Sequence, residues 1–172
     1  NAGHIAVEQV EPIASFATLR AAPRRHFARG GALDLPLAAI GAWLPFGLRL
    51  TAAATRFDAG KTALTRLMAG ALPAWRRLAG DLGDAELIRE DGHFILWETE
   101  ATAAAGRAAW AATDTGTATI RDATSTEIAA LRAQMTAPFA GAVRCEGSAQ
   151  IADPTRLADA LAATLARSGV AR

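Results

Sequence analysis

The stretch ELIREDGHFILWE, residues 86–98, decides the fold class. Two short apolar runs flank Asp91 and Gly92. Asp-Gly is a strong signal for a two-residue hairpin turn, because glycine takes the positive φ such a turn needs. The spacing therefore predicts antiparallel strands over residues 86–89 and 93–98, paired with each other. Side chains alternate along a strand. His93, Ile95 and Trp97 fall on one side of the second strand, and Phe94 and Leu96 on the other.

Upstream, the period changes from two to 3.6. Leu64, Leu67, Met68, Ala71, Leu72, Trp75, Leu78, Ala79 and Leu82 recur at three- and four-residue steps behind Asp58, a good N-cap. This stripe reads as core packing, not as a cofactor box. Pro73 lies inside it and predicts a kink near Ala69, and Gly83 closes the helix. Before it, Pro36 opens a short helix that Pro45 ends, and a second short helix spans residues 46–55. Residues 1–32 carry Gly3, Pro12, Pro23, Gly30 and Gly31 and read as extended segment and loop. The arginines at 20, 24, 25 and 29 read as a solvated face.

Downstream, Thr99 caps an Ala-rich helix. TATIRDA, residues 117–123, is an edge strand. Thr124 or Ser125 caps the next helix, and residues 141–147 and 148–153 form two strands around Gly147. Asp153 then caps a helix with Pro154 at its first position and an apolar stripe of Leu157, Ala158, Leu161, Ala162 and Leu165. Gly169 ends it, and residues 170–172 begin a further strand. The order is α+β: an antiparallel sheet backed by helices.

Composition narrows the function classes. A chain of 172 residues can bury a core. A formal net charge of +1 gives no basic footprint for nucleic acid. Lys61 is the only lysine, and the heavy use of Arg and Ala fits a GC-rich bacterial coding bias. Tyrosine is absent, which excludes a Tyr base. Cys145 is the only cysteine, so no internal disulfide forms; it reads as a buried hydrophobe of a reducing, cytoplasmic protein. The apolar run over residues 33–50 is interrupted by Asp34, Pro36, Pro45 and Arg49, and falls short of the roughly 20 clean residues of a span. Trp43, Phe46 and Leu50 either rest on a membrane surface or pack inside.

Few motifs carry chemistry. TRFDAGKT, residues 55–62, resembles the end of a phosphate loop, but position 55 is Thr where the motif needs Gly. His4, His26 and His93 show no paired metal-ligand spacing, so the expectation is no metal site. Glu98 and Glu100 flank Thr99 at a strand end, where they read as solvated. Neither a Gly-x-Ser-x-Gly nor a Gly-x-Gly-x-x-Gly sequence occurs.

Four stretches resemble one family when taken in order. They are NAGHIA at residues 1–6, EPIASFATL at 11–19, ALPAWRRLAGDLGDAELIREDGHFILWETEA at 71–101, and IADPTRLADALAATLARSGV at 151–170. Together they resemble the D-amino-acid dehydrogenase branch of the FAD-dependent (DAO-type) amino-acid oxidoreductases. The family's dinucleotide fingerprint and its late segment, with an Arg for the substrate carboxylate, have no counterpart here. The resemblance thus implies an internal fragment, mostly the substrate-binding cap. Residues 1–32 would link from an FAD-binding domain, 33–153 would form the cap, and 154–172 would lead back.

It further implies FAD as cofactor, an amino acid or amine as substrate, and the absent FAD-binding domain as partner. The reaction would be oxidative deamination by hydride transfer from the substrate α-carbon to flavin. Asn1, Ala2, Gly3 and His4 would lie beside the isoalloxazine ring. His93, Ile95, Trp97 and Gln150 would line the substrate, although alternation leaves either face of the strand free to do so. Alone, the chain is expected to bind FAD poorly and to be inactive. A cytoplasmic location, peripheral to the inner membrane, accompanies this reading. The competing reading is an autonomous, non-catalytic domain that binds a small ligand.

Overall fold

The structure is a computed structural model that describes residues 3–169. The chain divides into two compact units, one of Glu11–Thr65 and one of Asn1–Val10 with Arg66–Arg172.

The smaller unit is helical. Helix α1 (Phe16–Ala21) starts where the Ser15 hydroxyl accepts the Thr18 amide at 3.0 Å. Two short 3-10 turns follow, at Ala22–Arg24 and Phe27–Arg29, and a bridge joins His26 to Leu33. Residues 1–32 thus hold more helix than their glycines and prolines suggested. Helix α2 (Ile40–Ala54) passes through Pro45, where the sequence predicted a stop and a second start. Proline removes one N–H from the ladder, and the helical bonds on either side carry the chain across that gap. The Trp43 indole N–H, donated to the Pro36 carbonyl at 3.0 Å, braces the first turn. Helix α3 (Phe57–Asp81) begins in this unit and continues into the other. Asp58 lies in its first turn rather than at its cap.

In the larger unit, α3 runs unbroken through Pro73. It ends where Gly83 takes φ +74° and the Asp84 amide reaches back to the Ala79 carbonyl at 3.0 Å. That is the left-handed closure glycine permits. The strands are β1 (His4–Ile5), β2 (Ile88–Arg89), β3 (His93–Trp97), β4 (Thr119–Asp122), β5 (Gly141–Glu146) and β6 (Ala149–Ile151). They form two antiparallel sheets, ordered β1-β6-β2 and β3-β5-β4.

The pairing corrects the predicted hairpin. β2 pairs with β6 and β3 with β5, so β2 and β3 are successive pieces of one strand path rather than partners. Likewise β5 runs on into β6. The result is a bent two-stranded ribbon, with β1 added at one end and β4 at the other. Four steps separate Arg89 from His93, yet five separate their partners Gln150 and Cys145. The surplus residue falls at the bend, as in a β-bulge. Asp91–Gly92 is therefore a kink and not a turn. The Asp91 carbonyl accepts from Arg144 at 2.7 Å, and its carboxylate accepts from the Gln150 amide at 3.3 Å. Gly92 sits at φ +66°, where a Cβ would overlap the Cys145 carbonyl.

Helix α4 (Glu100–Ala112) covers one face of the β3-β5-β4 sheet, starting from a Thr99–Thr102 capping box. Trp97 lies against Gly106, and Gly141 meets Ala103. On the other face, Arg121 and Arg144 stand side by side in register and bind Glu127 of α5 (Ser125–Gln134), which Thr124 caps. Helix α6 (Pro154–Arg167) opens with the Asp153 carboxylate accepting the Thr155 and Arg156 amides, as the sequence predicts. The core gathers Ile5, Val7, Leu72, Ala118, Cys145 and Ala149, with Trp75, Ile88, Ile120 and Ile151 packed around it. This mixed architecture is the α+β class the sequence indicated.

Candidate functional site: a histidine–glutamate cluster at the ribbon bend

The ribbon bend carries a cluster of polar side chains. β1 pairs with β6, placing His4 opposite Gln150. After Ile5 the chain turns tightly, with the Val7 amide on the Ile5 carbonyl at 3.2 Å. That turn brings Glu8 back beneath His4, where His4 Nε2 lies 3.2 Å from Glu8 Oε1. Val7 and Val10 are buried on either side of it, and Glu8 is itself only 3 % exposed. Its second oxygen, Oε2, is buried and has no hydrogen-bond partner among the described residues. Such an oxygen bears the desolvation cost of a carboxylate without compensation.

His93 comes from the far side of the bend. Its ring meets that of His4 edge to face, with centroids 4.6 Å apart. Its Nδ1 lies 3.0 Å from Ser148 Oγ, and Ser148 is fully buried on the β5–β6 connection. His4, Glu8 and His93 each offer a ligand-type atom, and these three atoms lie within 4.8 Å of one another. Burial pushes the His93 pKa down; the Glu8 charge opposes that and His4 adds to it. Burial likewise pushes the neighbouring Cys145 thiol up, against a hydrogen bond from Ser148.

Of the residues the sequence singled out, His4 and His93 are thus brought together, with Gln150 across the ladder from His4. Gln150 spends its amide N–H on Asp91. Ile95 and Trp97 continue the His93 face away from the cluster, and Arg107 lies 6.0 Å from the Trp97 ring centre. Gly3 adopts φ +73° and its carbonyl accepts the Ile151 amide at 2.8 Å. Asn1 and Ala2 lie outside the described residues, as does the strand expected over 170–172. An open depression of about 320 Å³ beside His4 is lined by Gly3, Ile5, Trp75, Ile151, Pro154 and Leu157.

Sequence reasoning missed Glu8 and Ser148. Glu8 gave no local signal, since it stands beside Gln9 in the half-polar stretch VEQV. Ser148 gave none, because its partner is 55 residues away.

A family model described as FAD dependent oxidoreductase (DAO) matches residues 19–171. No curated protein and no solved structure matches the chain. The match includes His93, Cys145, Ser148 and Gln150 and begins after His4 and Glu8. Covering most of the sequence, it shows that the chain belongs to the FAD dependent oxidoreductase family.

Proposed function

We propose that this chain serves the substrate side of an FAD-dependent oxidative deamination of amino acids, with D-amino acids as the preferred class. The family match over residues 19–171 is the observation that carries the reading. It favours an oxidoreductase over a non-catalytic binding domain. The preference for D-amino acids rests on the resemblance of the opening NAGHIA to that branch of the family.

The described residues do not form a cradle for the FAD pyrophosphate. Such a cradle needs a parallel β-α-β unit and a glycine-rich turn opening a helix. Both sheets here are antiparallel, and the Cβ position of Gly3 is filled by Ile151 at 3.0 Å. In this proposal residues 1–4 border only the flavin ring, and the chain alone is inactive. When bound, FAD supplies the hydride acceptor.

The chain's own residues orient the substrate. His93, whose pKa burial pushes down, borders the substrate. Gln150 offers a polar contact, while Ile95 and Trp97, on the face that α4 covers, stand back from it.

Titrating the isotope-labelled chain with D-alanine and with L-alanine tests this. Shifts at the His93 ring and the Gln150 amide with the D-form alone are expected. Equal response to both forms overturns the D-preference, and no response at these residues overturns their role. The same titration across other D-amino acids, glycine, sarcosine and D-proline identifies the substrate by the shifts at His93 and Gln150.

A second observation supports seating on a membrane surface. The run over residues 33–50 was expected to fall short of a span, but the stretch Leu37–Ala54, past Asp34 and Pro36, is by length and composition long and apolar enough to cross a membrane, and only 6 % of it is buried. Leu37, Phe46 and Leu48 are well over half exposed. Co-sedimentation with anionic vesicles is expected, and loss of it in a Phe46→Ser, Leu48→Ser chain. Failure of the unaltered chain to sediment would remove this reading.

A further inference from the structure

We infer that His4, Glu8 and His93 form a binding site for a divalent transition-metal ion of the zinc class. Two imidazoles and one carboxylate, with a coordination position left open, are a donor set suited to such ions. The inference shares His93 with the proposed substrate contact, and metal binding in the absence of substrate tests it separately.

Geometry is the first support. Ligands at about 2.0–2.1 Å in tetrahedral array stand roughly 3.3 Å from one another. The His4 Nε2 to Glu8 Oε1 distance of 3.2 Å already meets this. All three donor atoms fall within 4.8 Å, so closure asks for a movement of about 1.5 Å or less. His4 has room to make it: its side chain is 36 % exposed and stands on an edge strand.

The second support is the Glu8 carboxylate. Oε2 is buried and without a partner among the described residues, while Oε1 is held by His4 alone. One neighbouring imidazole leaves half of a buried carboxylate uncompensated. A cation bound between Glu8 and both rings would neutralise that buried carboxylate. The third support is Ser148. Metal-binding histidines characteristically commit their other ring nitrogen to a nearby oxygen, which fixes tautomer and orientation. His93 Nδ1 is so committed, at 3.0 Å to a fully buried Ser148 hydroxyl, leaving Nε2 for the ion.

The sequence concealed this site because His4 and His93 lie far apart in the chain, and no short spacing links them. The open depression lined by Gly3 and Trp75 gives an ion a route to His4.

Cobalt(II) is the probe, added to the metal-stripped 172-residue chain. The expected result is one equivalent bound, with the visible d–d absorption of a nitrogen–oxygen site, displaced by zinc(II). Zinc(II) is also expected to raise the melting temperature. Glu8→Gln, His4→Gln and His93→Gln should each weaken cobalt binding at least tenfold, while His26→Gln leaves it unchanged. Far-UV circular dichroism verifies folding; should Glu8→Gln unfold, the more exposed His4→Gln carries the test. No stoichiometric binding by the folded, unaltered chain overturns the inference. So does cobalt binding that survives both histidine substitutions.

Discussion

Arg144 Nη1 lies 2.6 Å from Glu127 Oε1, a contact that crosses from the central strand β5 to helix α5. Arg121 grips the same carboxylate through two contacts of 2.8 Å. Helix α5 has no fully buried residue, so little apolar burial holds it to the sheet. Isolated surface ion pairs contribute little, but a shared carboxylate with bidentate arginine geometry is the favourable exception. Glu127→Ala also removes the capping box at Thr124. The expected outcome is a melting temperature lower by a few degrees and faster hydrogen exchange across α5. Exchange in α4 should change little.

The same carboxylate makes stability fall in acid. Arg121, then the Thr124 amide, then Arg144 hold the Glu127 pKa well below the usual carboxylate range. Arg76 holds Glu90 down in the same way. Unfolding returns both groups to about 4.3, so the unfolded chain binds more protons in acid. Their contribution is therefore complete above that value and is lost as pH falls through it towards the folded pKa. Urea titrations at pH 7 and pH 3 should show the midpoint dropping, with a smaller drop in Glu127→Gln.

Two glycines in helices should respond in opposite directions to alanine. At Gly106 a Cβ would overlap the Trp97 indole, whereas at Gly70 nothing lies within 4 Å. Helix propensity favours alanine by about 1 kcal/mol at either position. Overpacking costs about 1–3 kcal/mol, which outweighs that gain at Gly106. Gly106→Ala should lower the unfolding free energy, and Gly70→Ala should raise it by about 0.5–1 kcal/mol. Denaturant unfolding of the two variants measures both signs.

Cys145 should behave as a conformational reporter. It is fully buried, and burial pushes its pKa up, so little thiolate is present or accessible. Reaction with a disulfide reagent at pH 8 should be slow in the native chain. Across a urea series its rate should rise together with global unfolding. Fast native reaction would mean that the ribbon bend opens locally.

Local signals were legible; long-range pairing was not. The Asp153–Pro154 start of α6 and the Thr99 and Thr124 caps depend on residues within one turn, and each formed where read. The alternation of His93, Ile95 and Trp97 against Phe94 and Leu96 also held, with Trp97 on α4 and Phe94 beside Arg144. Pairing was a different matter. Asp91–Gly92 has the chemistry of a hairpin turn, but β5 and β6 offered the strands longer partners, and Arg144 and Gln150 took up the Asp91 oxygens. The cluster was hidden for the same reason. Glu8 meets His93 only after the chain has folded, and nothing near Glu8 in the sequence announces that encounter.

The unequal step count at the ribbon bend also shifts the register of one arm against the other. With equal counts, both arms would share one register. The extra residue near Gly147, itself at φ +87°, swings one arm away from the other. His93 and Ser148 are left facing each other across the crease. Architecture and chemistry meet at one insertion: the residue that breaks the register stands where His93 and Ser148 join.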